Sequence, residues 1–194
     1  MHLAKNFLDI GLSTNNLAPI LAFWQEEAGA TFDHVLPIRP GHDQHRHDIS
    51  GSVLKINHHV SPLPPNPPSG YRELIIAREG LTSVKEMADP EGNRVTLVPM
   101  GQDGVSQIAV RMAVRNLDAH RRFYGEALGF PEEQSGAFRA GESLILLEGA
   151  VRQTRTSLRF SGASRSQAAI NSRHSRRAAS RSDLNLALLS IFLW

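Results

Sequence analysis

Cysteine is absent from this 194-residue chain, which excludes disulfides, thiolate metal sites and a cysteine nucleophile together. Long apolar runs are missing too. The longest mostly apolar stretch, residues 186–194, is about half the roughly 20 residues a membrane-spanning helix needs. Residues 1–11 lack the apolar core behind a basic start that marks a secretory leader. Both absences lead us to expect a cytoplasmic protein without a membrane partner. Acidic residues are scarce in one region only. Residues 1–150 hold 13 Lys+Arg against 18 Asp+Glu, whereas 151–194 hold 8 against 1. The net charge of +2 therefore averages a mildly acidic body and a basic tail. No nucleophile elbow occurs, and the glycine-containing segment 101–106 lacks the Lys-Ser/Thr of a phosphate loop.

What is present is a repeat. Residues 107–130, QIAVRMAVRNLDAHRRFYGEALGF, match a stretch one hundred residues earlier, with Leu117 on Leu17, Phe123 on Phe23, Tyr124 on Trp24 and Gly129 on Gly29. Each copy opens on a short apolar, β-branched run (7–12 and 108–114) that predicts a strand. Asn16 and Asn116 stand where a helix N-cap belongs. Leu17, Ile20, Leu21 and Trp24 follow at the spacing of one buried helix face. In the second copy that face is Leu117, Tyr124 and Leu128, and Gly129 suits a left-handed C-terminal cap.

Further strands are expected over 30–38, 51–58, 71–78, 136–139 and 142–148. The segment 42–48, with His42, Asp43, His45, His47 and Asp48, is expected to be a solvated loop. Residues 61–70, SPLPPNPPSG, form a proline-rich linker. Residues 89–99, DPEGNRVTLVP, read as a turn leading into a strand: Pro90 presets the turn, and Gly92 and Asn93 tolerate positive φ.

The strand followed by Asn-Leu, the Phe-aromatic pair, Leu-Gly-Phe in the second copy, and this hairpin together resemble the vicinal oxygen chelate superfamily. That group includes glyoxalase I, bleomycin-resistance proteins and extradiol dioxygenases. The resemblance implies an α+β fold of paired βαβββ modules, the first over 5–99 and the second, over 106–150, apparently truncated. A basic Arg/Ser/Ala-rich tail of low order would follow over 151–194. The resemblance also implies a cleft enclosed by curved sheets and a divalent metal acting as a Lewis acid on a small oxygenated metabolite.

Carried over residue by residue, the superfamily's usual ligand positions fall on Asp9 and Ala109 in the two first strands and on Thr96 in the closing strand. Asp9 is the carboxylate suited to a hard ion such as Mg²⁺ or Mn²⁺. Gln107, on the strand face of Ala109, and Glu148 are the substitutes. Lys55 and Asn57 share one face of the strand over 51–58 and are candidate ligand-cleft residues. His34, His58, His59 and His120 are scattered and read as surface or structural histidines. Two functions follow: a metal-dependent lyase, isomerase or dioxygenase, or a metal-free small-molecule binder of the bleomycin-resistance kind, in either case a homodimer.

For the tail three accounts stand. It could be an arm that binds nucleic acid through clustered arginines, or a partner-binding segment anchored by 186–194. The favoured account is sequence unrelated to the evolution of the domain, such as translation out of the original frame.

Overall fold

β1 (Asp9–Thr14) opens the chain's first sheet, with Ile10 and Leu12 buried on one face. α1 (Leu17–Ala22) follows and widens into a π-turn over Phe23–Glu27. The chain then runs through β2 (Thr31–Arg39), β3 (His42–Ile49) and β4 (Ser52–His59). β4 returns parallel to β1, so a strand, a helix and three strands close one unit. The computed structural model describes residues 5–64 and 69–150, and the backbone of 190–192.

β5 (Tyr71–Arg78), β6 (Lys85–Ala88) and β7 (Arg94–Pro99) begin the second sheet. After a 3-10 turn over Gln102–Gly104 come β8 (Ile108–Val114), α2 (Leu117–Arg121) with a π-turn over Arg122–Ala127, β9 (Glu132–Gln134), β10 (Ala137–Ala140) and β11 (Ser143–Gly149). The order is β6-β7-β5-β8-β11-β10-β9. β11 lies parallel to β8, as β4 does to β1, so the run from β8 to β11 has the topology of the run from β1 to β4. A short strand, β12 (Ser190–Phe192), adds antiparallel to β1 and completes the first sheet as β12-β1-β4-β3-β2.

The repeat extends to individual hydrogen bonds. Ala28 N–H donates to Phe23 O and Ala30 N–H to Trp24 O, while Leu128 N–H donates to Phe123 O and Phe130 N–H to Tyr124 O. Each pair of bonds spans five and six residues and closes its helix end. Gly29 and Gly129, at φ 68° and 71°, supply the left-handed residue that such a closure requires. Ile20, Phe23 and Trp24 from α1 and its π-turn, Ile10, Leu54 and Ile56 from the first sheet, and Leu74, Ile76, Val95 and Ile108 from the second form one continuous core.

Three expectations change. Residues 42–48 are strand, not loop: β3 lies between β2 and β4, and its polar side chains find cross-strand partners. Gln44 Nε2 donates to Asn57 Oδ1 at 2.9 Å, and the rings of His42 and His59 stack at 4.1 Å. Asn16 makes no side-chain cap; its N–H instead donates to Thr14 Oγ1 at 2.8 Å, whereas Asn116 Oδ1 does cap, accepting from Ala119 N–H at 2.9 Å. β9 was not expected, because its three residues are exposed and show no apolar alternation. The accounts of the tail concern residues outside those described, apart from the backbone of β12.

The hairpin over 89–93 forms as expected. Asp89 Oδ1 accepts from the N–H groups of Glu91 and Asn93, and Asp89 Oδ2 from Asn93 Nδ2 at 2.7 Å. Burial pushes the Asp89 carboxyl up, against the pull of these donors.

The histidines of the first sheet couple its stability to pH. His47 is buried and meets Gln25 Nε2 at 2.9 Å. Burial holds His45, His47 and His59 below the ordinary imidazole value, with nearby cationic or imidazole groups adding to the effect at His45 and His59. A base whose folded-state pKa is depressed binds fewer protons folded than unfolded, so stability rises with pH. This contribution is present above about pH 6.5, the ordinary imidazole value, and is lost as pH falls through the lowered values. Urea midpoints measured from pH 7.5 to 5.5 are expected to fall, and His47→Gln is expected to flatten the curve.

Candidate functional site

β5 and β8 are adjacent and antiparallel, with Glu73 opposite Arg111 and Ile75 opposite Ala109. β7 flanks β5 and β11 flanks β8, placing Ile75 beside Thr96 and Ala109 beside Leu144. Because side chains two apart share a strand face, this register gathers Glu73, Ile75, Thr96, Val98, Ala109, Arg111, Leu144 and Leu146 on one side of the sheet. Ile75, Ala77, Val98, Val105, Ala109 and Leu144 form a separate apolar cluster there. A cavity of about 500 Å³ opens over this face, with Gln102–Val105 and Glu133–Ala137 as part of its wall.

Three of the cavity's polar side chains meet at one place. Glu73 is 8% exposed; its Oε2 accepts from Arg111 Nε at 3.0 Å and its Oε1 accepts from the Thr96 hydroxyl. Arg111 is the more open partner, its side chain 41% exposed. Among the described residues its one hydrogen bond is that from Nε, so both terminal nitrogens keep their donors. A guanidinium with its flat end open is a fork that fits a carboxylate or phosphate. Arg94 also lines the cavity. Glu133, another lining residue, is paired with Arg139 at 2.7 Å.

These groups do not fit a divalent metal. Glu73, the carboxylate at the floor, already accepts from a guanidinium and a hydroxyl; its register partner is Arg111, and the next positions on the same face are Ile75 and Ala109. A fixed cation beside Glu73 opposes a second one there. Among the described residues no group of three or more His, Cys, Asp or Glu could hold a metal ion.

Thr96 and Ala109, two of the ligand positions implied by the resemblance, fall on this cavity face, whereas the metal and cleft candidates lie elsewhere. Asp9 is 2% exposed in β1 and contacts the ammonium groups of Lys55 at 2.6 Å and Lys5 at 2.8 Å. Burial raises the Asp9 carboxyl, but the hydrogen bonds and charges of Lys5 and Lys55 bring it below the usual carboxylate range. The structure therefore joins Asp9 to Lys55, a metal candidate to a cleft candidate, as an ion pair in the first sheet. Asn57, on the same strand as Lys55, donates to Leu12 O at 3.1 Å. Gln107 is buried just before β8, where its Oε1 accepts from Ser143 Oγ at 2.8 Å. Glu148 is exposed on β11, 3.6 Å from Arg72 Nε. None of the five lines the cavity. His120 packs on its own helix, with Nδ1 2.9 Å from Asn116 O.

The paired sheets are similar in fold to those of glyoxalase I. Two solved structures of glyoxalase I variants from Zea mays superpose on the chain. One has TM-score 0.58 and 13% identity over 72% of this chain and 66% of that one. The other has TM-score 0.57 and 12% identity over 75% of this chain and 68% of that one. This chain thus spans about two thirds of the length of those enzymes. No protein-family model and no curated protein sequence matches it. The likeness is one of fold. Among the described residues no helix is long and apolar enough to cross a membrane.

Proposed function

We propose that the chain binds a small oxygenated molecule carrying a carboxylate on an apolar or aromatic body, without a metal. The observation that carries this reading is the Arg111 guanidinium: Glu73 orients it through Nε, and its two terminal nitrogens remain available in a cavity of mixed lining, beside the apolar patch of Ile75, Val98, Leu144 and Leu146. The carboxylate would take those nitrogens in a forked pair, and Ile75, Val98, Leu144 and Leu146 would cover the body. Glu73 is then a positioning residue, and Thr96 holds it.

Titration of chelator-treated protein with benzoate and related aromatic carboxylates, each beside its neutral amide, tests this reading. At least one carboxylate is expected to bind, with its amide tenfold or more weaker. Arg111→Met is expected to weaken the carboxylate by about 10- to 100-fold, the range of a hydrogen bond to a charged group. The fold keeps a second reading open, metal-dependent lyase, isomerase or dioxygenase chemistry on a similar molecule. Binding that appears only with added Mg²⁺ or Mn²⁺ and survives Arg111→Met would favour that reading and remove ours.

A further inference from the structure

We infer that a second copy of this chain adds to the first sheet along β2, antiparallel and centred on Leu36. Among the described residues β2 ends its sheet, pairing with β3 on one side only. All nine of its residues are exposed. They include Phe32, Val35, Leu36 and Ile38, at 42–49% exposure, half of the large apolar side chains exposed among the described residues. A long apolar edge strand is a template for another strand.

The charges on β2 select the occupant. In an antiparallel pair related by a two-fold axis through Leu36, Asp33 of each copy stands opposite Arg39 of the other. His34 then faces Ile38, Val35 faces Pro37, and Leu36 meets its own copy. The only ion pair of Asp33 among the described residues is with the neighbouring His34, at 3.0 Å, and Arg39 has none among them. A slip of the axis to Val35 sets Asp33 against Pro37 and Arg39 against Thr31, losing both interchain pairs. Opposite charges directly across a sheet support a register, and like charges there oppose it. Asp33 and Arg39 could instead be charges that keep an edge single, as Pro37 and the register shifts at Asp33 and Ile38 could. The two roles give opposite results when one charge is reversed, because a guarding charge has no dimer to break. This inference stands apart from the ligand proposed for the cavity.

Sedimentation of the full chain tests it. The unchanged protein is expected to dimerise at micromolar concentration. Asp33→Arg and Arg39→Asp, each of which creates two like-charged pairs per dimer, are expected to raise the dimer Kd at least tenfold. The double variant Asp33→Arg/Arg39→Asp is expected to return it to within about threefold of the original. Far-UV circular dichroism, expected to be unchanged, checks that each exposed substitution leaves the fold intact. A monomeric unchanged protein, a dimer indifferent to the single reversals, or a double variant that fails to recover would each overturn the inference.

Discussion

Asp9→Ala is expected to destabilise the protein by about 3 kcal/mol, within the range for removing one partner of a buried ion pair. The Lys55 side chain is 11% exposed beside Asp9, so the variant loses a carboxylate from a place where water cannot fully replace it. Lys5, 40% exposed, contributes little of this, since an exposed charge is screened. The double variant Asp9→Leu/Lys55→Met is expected to be more stable than Asp9→Ala, because it takes the buried ammonium out together with the carboxylate it faces. Urea unfolding of the three proteins measures this directly. A double variant no better than the single would show that the ion pair is not the source of the loss. The acid limb provides a second check. A carboxyl whose folded-state pKa is depressed gives stability above its unfolded value, near pH 3.8, and loses it as pH falls through the folded value. Asp9→Ala should lack that limb.

Trp24→Ala is the second large effect, about 3–5 kcal/mol, the cost of emptying a buried aromatic site. The indole is 0% exposed and meets Phe23 edge to face with ring centroids 5.5 Å apart. At about 2–4 °C per kcal/mol for a chain of this size, the midpoint of melting should drop by roughly 6–20 °C. Trp24→Phe keeps most of the volume and gives up an indole N–H that lies toward the Asp89 carboxyl, so it should cost only about 1–2 kcal/mol. If calorimetry gave the two variants equal losses, packing volume would not be what this position supplies.

Features that depend on neighbours in the chain were legible in the sequence. The amphipathic face from Leu17 to Trp24, the cap at Asn116, the glycines after both helices and the hairpin from Asp89 to Asn93 are each decided within about one helical turn or one tight turn. Their side-chain pattern is therefore visible without the fold. The cavity was not legible, because it is made by register between strands. Glu73 and Arg111 lie 38 residues apart, and each looks like an ordinary polar residue in an alternating strand until β5 and β8 are set side by side. A lone acid in one predicted strand and a lone base in another was the available signal, and nothing local said that they paired. Asp9 and Lys55 illustrate the same limit: their strands were visible, but the parallel return of β4 onto β1, which makes them partners, was not. β3 misled for a different reason. Its histidines and aspartates resemble a loop by composition, and only a strand on either side makes them part of a sheet.

The paired π-turns seat equivalent rings in the two halves of the molecule. A helix turn closed by a bond across five residues is wider than an ordinary turn, and here one closes at Phe23 and one at Phe123. The ring that follows each, Trp24 or Tyr124, is buried in the same core, so the two copies of the repeat meet through the residues their turns present.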